Sequence, residues 1–153
     1  MDSIPANSIW VICDGGTAAD IAEKIYRYRS LGCGMKGSEE VFIEQPDGTL
    51  FSVLFDYVVQ QDLYVRFHVD VIGGGSYDED YLKTQLALLY QFGIYQESDI
   101  TTVQSLIKQI NPQLAASAVE VSNDGISWVA TYLYPDDFQN KFVLDTANIT
   151  IIP

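Results

Sequence analysis

The stretch Ser8–Gly34, SIWVICDGGTAADIAEKIYRYRSLGCG, decides how the first half of the chain folds. Its apolar start, Trp10–Ile12, consists of residues that favour strands, and the Asp-Gly-Gly sequence after it breaks the strand. Thr17 stands where a helix N-cap belongs, with Asp20 three residues later, which is close to a capping box. Apolar residues then recur at helical spacing, and Gly32 is placed to end the helix. The stretch therefore predicts a strand followed by a capped helix.

A β-hairpin is predicted after this helix, beyond a glycine-rich loop at Leu31–Ser38. Strands at Val41–Gln45 and Thr49–Phe55 flank a Pro-Asp-Gly sequence, which is a strong turn signal. Because the second strand is apolar at alternate positions and partly apolar between them, we expect both of its faces to be covered. The first half, residues 1–60, is thus predicted to be a β-α-β-β subdomain.

The second half opens with the most regular strand pattern of the chain. In Leu63–Val71 every odd position is apolar and every even position is polar or amphipathic. Such alternation predicts one buried face and one face that meets solvent or a partner. Two helices follow, with Ser76 and Thr101 as the predicted N-caps and Gly93 as the predicted end of the first.

The remainder of the second half is predicted to be β-structure, since short apolar runs alternate with turn sequences. The predicted strands are Ala118–Ser122, Ile126–Leu133, Lys141–Leu144 and Asn148–Ile152, the last two separated or bulged around residues 145–147. The chain is therefore predicted to have an α+β fold of two small subdomains. A β-α-β-β unit over residues 1–60 precedes a β-α-α-β-β-β unit over residues 61–153, with the helices packed on mainly antiparallel sheets.

Composition limits the classes of partner. The 153 residues carry 8 basic against 21 acidic side chains, a formal net charge of −13. This balance argues against binding along a nucleic-acid backbone or on an anionic membrane surface, because both require lysine and arginine. No apolar run approaches the ~18–20 residues of a membrane span. Ten tyrosines, by contrast, suit a surface that becomes buried against another protein.

Residues that could support catalysis or metal binding are few. A thiol hydrolase would need Cys13 or Cys33 beside His68, the only histidine, and nothing in the sequence brings them together. One histidine and two scattered cysteines do not make a standard zinc site. We therefore predict no enzymatic activity and no cofactor, with a small Cys–His hydrolase left as the least favoured alternative.

Four segments together resemble one protein family. They are SIWVICDGGTAADIAEKIY at 8–26, SLGCGMKG at 30–37, QPDGT at 45–49 and KFVLDTANI at 141–149. In this order they are similar to the C-terminal part of the baseplate J-like protein family of contractile-tailed, Mu-like phages and prophages. Members of that family are usually longer than this chain. The shared residues are framework residues and form no catalytic signature.

The resemblance implies a structural component of a phage or prophage tail baseplate that acts through protein–protein contacts in virion assembly. Its implied partners are other baseplate and tail proteins, with a homo-oligomer left open, and its implied location is the virion after assembly in the bacterial cytoplasm. The candidate interface residues are Tyr64, Arg66, His68 and Trp128. A module that recognises a host-surface glycan is the alternative, and Tyr64 and Trp128 are the side chains that would stack on sugar.

Overall fold

The computed structural model describes residues 4–30 and 32–153. The chain divides into two compact units, residues 1–59 (unit 1) and 60–153 (unit 2). The described residues form three helices and several small sheets, which confirms the predicted α+β class.

Unit 1 contains one helix and five strands among its described residues. Its elements are β1 (Ser8–Trp10), β2 (Ile12–Cys13), α1 (Ala18–Tyr28), β3 (Gly34–Lys36), β4 (Glu39–Glu44) and β5 (Leu50–Tyr57). The hairpin strands β4 and β5 are antiparallel, but β1 pairs with β3 and β2 pairs with β5 in parallel. The β1–β3 sheet is therefore parallel and the β2-β5-β4 sheet is mixed, where the sequence predicts mainly antiparallel sheets.

Helix α1 begins as the sequence predicts. The Thr17 side chain accepts a hydrogen bond from the Asp20 backbone N–H, and the Thr17 hydroxyl donates to the Asp20 carboxylate at 2.6 Å. Ile21 and Ala22 are buried against the inner face of β5. The predicted end at Gly32 is wrong, because the backbone already turns to an extended conformation at Arg29, whose N–H closes the last helical turn.

The predicted loop at 31–38 contains a strand, β3, which pairs with β1 in parallel. Leu31 itself lies outside the described residues. Gly37, the residue that follows β3, packs directly on the backbone of β5. A Cβ atom at Gly37 would lie 2.2 Å from the Phe55 nitrogen, so only glycine fits there without backbone movement.

The β4–β5 hairpin forms around the predicted turn, with Glu44 opposite Leu50. On the inner face of β5, Val53 and Phe55 are fully buried. The other face of β5 is covered in part: Leu50 at its start is 65% exposed, whereas Asp56 at its end is 8% exposed. Helix α1 supplies the apolar cover for the inner face alone.

A buried carboxylate links two strands and a loop of unit 1. Oδ2 of Asp56 accepts a hydrogen bond from Nε1 of Trp10 at 2.6 Å, and Oδ1 accepts from the backbone N–H of Ser38 at 2.8 Å and from its hydroxyl at 2.5 Å. Burial raises the pKa of Asp56, but the hydrogen bonds from Ser38 and Trp10 outweigh burial, so the net shift is downward. Asp56 is only 8% exposed and joins β1 and the β3–β4 connection to β5.

Unit 2 places two helices against a three-stranded sheet. Its elements are β6 (Val59–Val71), α2 (Glu79–Leu89), β7 (Ser98–Asp99), α3 (Ile100–Ile110), β8 (Leu114–Ser122), β9 (Tyr132–Leu133) and β10 (Asn140–Ile152). The sheet order is β10-β6-β8, with β6 in the centre, and β7 and β9 form a separate antiparallel pair. The predicted alternation in β6 is confirmed, because Leu63, Val65 and Phe67 are fully buried. They share one core with Leu86 of α2 and Ile107 of α3.

Carboxylates cap the helices of unit 2. Asp78, not the predicted Ser76, is the N-cap of α2, and Asp99, not the predicted Thr101, is the N-cap of α3. An ionised side chain is the better cap because it also interacts favourably with the positive end of the helix dipole. Helix α2 ends at Leu89, before the predicted stop at Gly93.

The β-structure of the last forty residues also differs from the prediction in its boundaries. Strand β8 begins at Leu114, earlier than predicted, and has a bulge at Ala118, whose φ is 49°. Of the predicted strand at 126–133 only β9 forms, together with a single bridge between Val121 and Val129. The two predicted C-terminal strands are one continuous strand, β10.

Candidate interaction surfaces

Arg66 and Trp128, both predicted interface residues, contact each other on the outer face of β6. The Arg66 guanidinium lies over the Trp128 ring, 4.3 Å from its centroid. Nε of Arg66 also donates to Oε2 of Glu120, its cross-strand partner on β8, at 2.6 Å. The Arg66 side chain is 34% exposed and its charge is already compensated within unit 2.

The other two predicted interface residues, His68 and Tyr64, are half-buried. Nδ1 of His68 donates to the Ile152 carbonyl at 3.1 Å, and Nε2 lies 3.4 Å from Oδ1 of Asp70. The ring of Tyr64 lies beside Gly125, where a Cβ would come within 3.4 Å of it. The four residues thus lie on one face of unit 2, and three of them have polar or stacking partners within the fold.

A second surface of unit 2 is more exposed and more aromatic. The aromatic patch consists of Tyr95, Tyr132, Tyr134 and Phe138. The Tyr95 ring stacks on Tyr134 at 5.7 Å between centroids and packs against Phe138 at 4.4 Å. Tyr132 meets Tyr134 edge-to-face at 5.7 Å. Tyr132, Tyr134 and Phe138 are 59%, 45% and 40% exposed. Exposed apolar groups that are contiguous, and not scattered singly, mark interaction sites.

The short β7–β9 ladder positions a carboxylate beside these rings. Ser98 pairs with Leu133 and Asp99 with Tyr132, so Glu97 and Tyr134 are the next residues along the ladder. Interaction with the Glu97 carboxylate raises the pKa of the Tyr134 phenol, as a nearby negative charge does.

Tyr95 adopts a backbone conformation that tyrosine rarely takes. Its φ is 52°, in the left-handed region, and its N–H donates to the Asn140 carbonyl at 2.8 Å. Such a conformation costs about 1–2 kcal/mol for a residue with a Cβ and persists only where the surroundings fix it. The surrounding structure therefore holds the Tyr95 ring in the patch against a local backbone preference.

The loop that carries Phe138 is held by polar contacts. Oε1 of Gln61 accepts from the Asp136 backbone N–H at 3.0 Å and from Nδ2 of Asn140 at 3.2 Å. The Asp136 carboxylate in turn accepts from Nε2 of Gln61 at 2.6 Å and from Nδ2 of Asn123 at 2.7 Å. The loop is therefore ordered by contacts that do not use the aromatic rings.

Sequence reasoning did not select the aromatic patch. One signal was available, since three aromatic residues lie within seven positions at Tyr132–Phe138. The contribution of Tyr95 could not be read in this way, because it depends on the hydrogen bond to Asn140 and on the β7–β9 pairing. Both are contacts between distant parts of the sequence.

The surroundings of Cys13 and His68 differ from those that activate a thiol nucleophile. Burial raises the pKa of the Cys13 thiol, whereas an activated nucleophile has a lowered pKa. His68 donates from one ring nitrogen to a backbone carbonyl. Within residues 4–30 and 32–153, no group of three or more His, Cys, Asp or Glu side chains is arranged to hold a metal ion.

Comparison with known proteins gives no assignment: no protein-family model matches the chain, and no curated protein matches it. Over the part of the chain that the structure describes, no helix has the length and apolar character to cross a bilayer.

Proposed function

We propose that the chain is a structural component of the baseplate of a contractile phage or prophage tail and acts through protein–protein contacts in virion assembly. The observation that carries this proposal is the aromatic patch of unit 2, where three of four contacting rings are at least 40% exposed. Aromatic residues, tyrosine among them, are enriched in the buried centres of protein interfaces.

The sequence resemblance is the reason for proposing a tail baseplate as the assembly. The segments at 8–26, 30–37, 45–49 and 141–149 are similar, in this order, to the C-terminal part of the baseplate J-like family. The first segment carries β1, β2 and most of α1, and the last lies within β10, so the resemblance covers framework elements of both units. A component that works by contact needs this framework and its surface, and needs no reactive group.

The composition of tail particles tests the proposal. The gene would carry an affinity tag in its native host, tail particles would be purified by density-gradient sedimentation, and peptides would be quantified by mass spectrometry. We expect the chain in the particle fraction at a constant ratio to the sheath and tube proteins. Its absence from intact particles would refute the proposal.

Recognition of a neutral host-surface glycan is the second candidate function, because exposed tyrosine rings also stack on sugars. The stacked pair Tyr95 and Tyr134 favours it more than Trp128 does, since Arg66 already lies over the Trp128 ring. A titration with a neutral oligosaccharide distinguishes this candidate from a protein contact.

A further inference from the structure

We infer that the aromatic patch is a docking site for an arginine side chain presented by a partner protein. The inference rests on the proposed function in one respect, that the ligand is a segment of another protein. It adds the chemistry of recognition, in which the guanidinium stacks on the exposed rings and pairs with Glu97.

The electrostatics of the patch favour a cation. Glu97, an exposed carboxylate, is the next residue along the ladder from Ser98 and lies beside Tyr134, whose pKa its negative charge raises. The carboxylate of Asp136 lies in the neighbouring loop, within a chain of net charge −13. A negative site with exposed ring faces attracts a positive planar group through both charge and the ring quadrupole.

Three cations elsewhere among the described residues already lie over aromatic rings. The Arg29 guanidinium lies 3.7 Å from the Phe51 ring centroid, the Lys36 ammonium 4.3 Å from that of Trp10, and the Arg66 guanidinium 4.3 Å from that of Trp128. Arg66 combines the ring contact with a carboxylate, Glu120. Glu97 beside Tyr134 provides the same two elements, a carboxylate and exposed rings, on the surface of unit 2.

The patch is organised before any ligand arrives. Tyr95 is fixed by its hydrogen bond to Asn140 despite a positive φ, and the Phe138 loop is fixed through Gln61. Rings that are already ordered lose little conformational entropy on binding. Guanidinium fits this site better than ammonium because it is planar, stacks on aromatic faces and forms directed hydrogen bonds with a carboxylate.

Titration of the full chain with short peptides tests the inference by ¹H–¹⁵N NMR. The probe is acetyl-Gly-Arg-Gly-amide, and the matched neutral probe carries citrulline, which keeps the shape of arginine without its charge. We expect saturable shifts at Tyr95, Glu97, Tyr132 and Tyr134 with the arginine peptide, and smaller shifts without saturation with the citrulline peptide. Maltotriose is titrated in parallel as the neutral glycan.

Two variants with the same change in net charge distinguish binding at the aromatic patch from non-specific attraction of a cationic peptide to an acidic protein. Glu97→Gln removes the proposed partner, and Asp80→Asn removes an exposed carboxylate from the first turn of α2. Loss of an exposed ion pair weakens binding about fivefold, so we expect that change for E97Q and little change for D80N. The NMR spectrum of each variant also reports whether it remains folded.

The inference is overturned if the arginine and citrulline peptides shift the patch equally, if neither does, or if E97Q and D80N behave alike. Preferential shifts with maltotriose overturn it in favour of glycan recognition. If the arginine peptide does not bind selectively but the chain is present in tail particles, only the docking of arginine is refuted. Binding of the arginine peptide by a chain absent from particles would refute only the proposed function.

Discussion

The hydrogen bonds to Asp56 give the sharpest test of how unit 1 is held together. Asp56→Ala removes three hydrogen bonds and leaves the Trp10 indole N–H and the Ser38 backbone N–H without their acceptor. Hydrogen bonds to charged groups contribute about 1.5–3 kcal/mol each, but removal of the carboxylate also relieves its desolvation cost and water can reach both donors. Counting about 1 kcal/mol per bond, we expect a loss of about 3 kcal/mol in the free energy of unfolding of unit 1.

Asp56→Asn should cost about half as much, because the amide oxygen can still accept both bonds from Ser38. Its NH₂ group would replace Oδ2 and face the Trp10 N–H, so one bond is lost. The pH dependence follows from the lowered pKa of Asp56. The stabilisation by the Asp56 carboxylate is complete above its unfolded pKa of about 3.9 and is lost as pH falls through its lower folded pKa. The difference in the free energy of unfolding between wild type and Asp56→Asn should therefore narrow below about pH 4.

The assay is urea unfolding followed by tryptophan fluorescence in a Trp128→Phe background, which leaves Trp10 as the reporter of unit 1. Glu44→Gln, at an exposed position of β4, is the control with the same change in charge and should leave the transition nearly unchanged. The reasoning fails if Asp56→Ala costs under about 0.5 kcal/mol, below the contribution of one ordinary hydrogen bond, or if the gap does not depend on pH.

Three further changes have defined outcomes. Gly37→Ala should destabilise unit 1 by about 3 kcal/mol or more in the same urea assay, because its Cβ would meet the Phe55 backbone at 2.2 Å; an unchanged midpoint would contradict the close approach of Gly37 to β5. Glu97→Gln should lower the pKa of the Tyr134 phenol, followed by NMR of its ring carbons, since Glu97 raises it; an unchanged pKa would show that the Glu97 carboxylate does not act on the phenol. Ala118→Gly should stabilise unit 2 by about 0.5 kcal/mol in thermal unfolding, because the strain energy removed at the positive φ exceeds the entropic cost of glycine in the unfolded chain. A clear loss of stability in this variant would show that the entropic cost is the larger of the two.

Elements set by local sequence could be predicted, and elements set by distant contacts could not. Thr17 caps α1 and the alternation in β6 buries Leu63, Val65 and Phe67, because both patterns act within a few residues. The prediction of Ser76 as the N-cap of α2 is wrong because two overlapping capping patterns compete, and the carboxylate of Asp78 forms the better one.

Strand β3 could not be predicted, because a three-residue strand forms only where β1 offers a parallel partner. The bulge at Ala118 shifts the apolar pattern of β8 by one residue, which hides the strand's first half from a period-two search. On the candidate site, the sequence placed Arg66 and His68 on one strand face but could not show that Glu120 and Ile152 already bind them. The aromatic patch is assembled from Tyr95 and the 132–138 segment, which only the fold brings together.

Complementation with a chain that lacks both thiols tests most directly whether the protein works by contact and not by chemistry. Cells deleted for the gene would express the wild type, the Cys13→Ser/Cys33→Ser variant, or the Tyr95→Gly/Tyr134→Ala variant, and complete tails would be counted by electron microscopy. We predict that the thiol-free variant restores tails to the wild-type count and that the patch variant, folded by its NMR spectrum, does not. Restoration by the patch variant together with failure of a folded thiol-free variant would contradict the account.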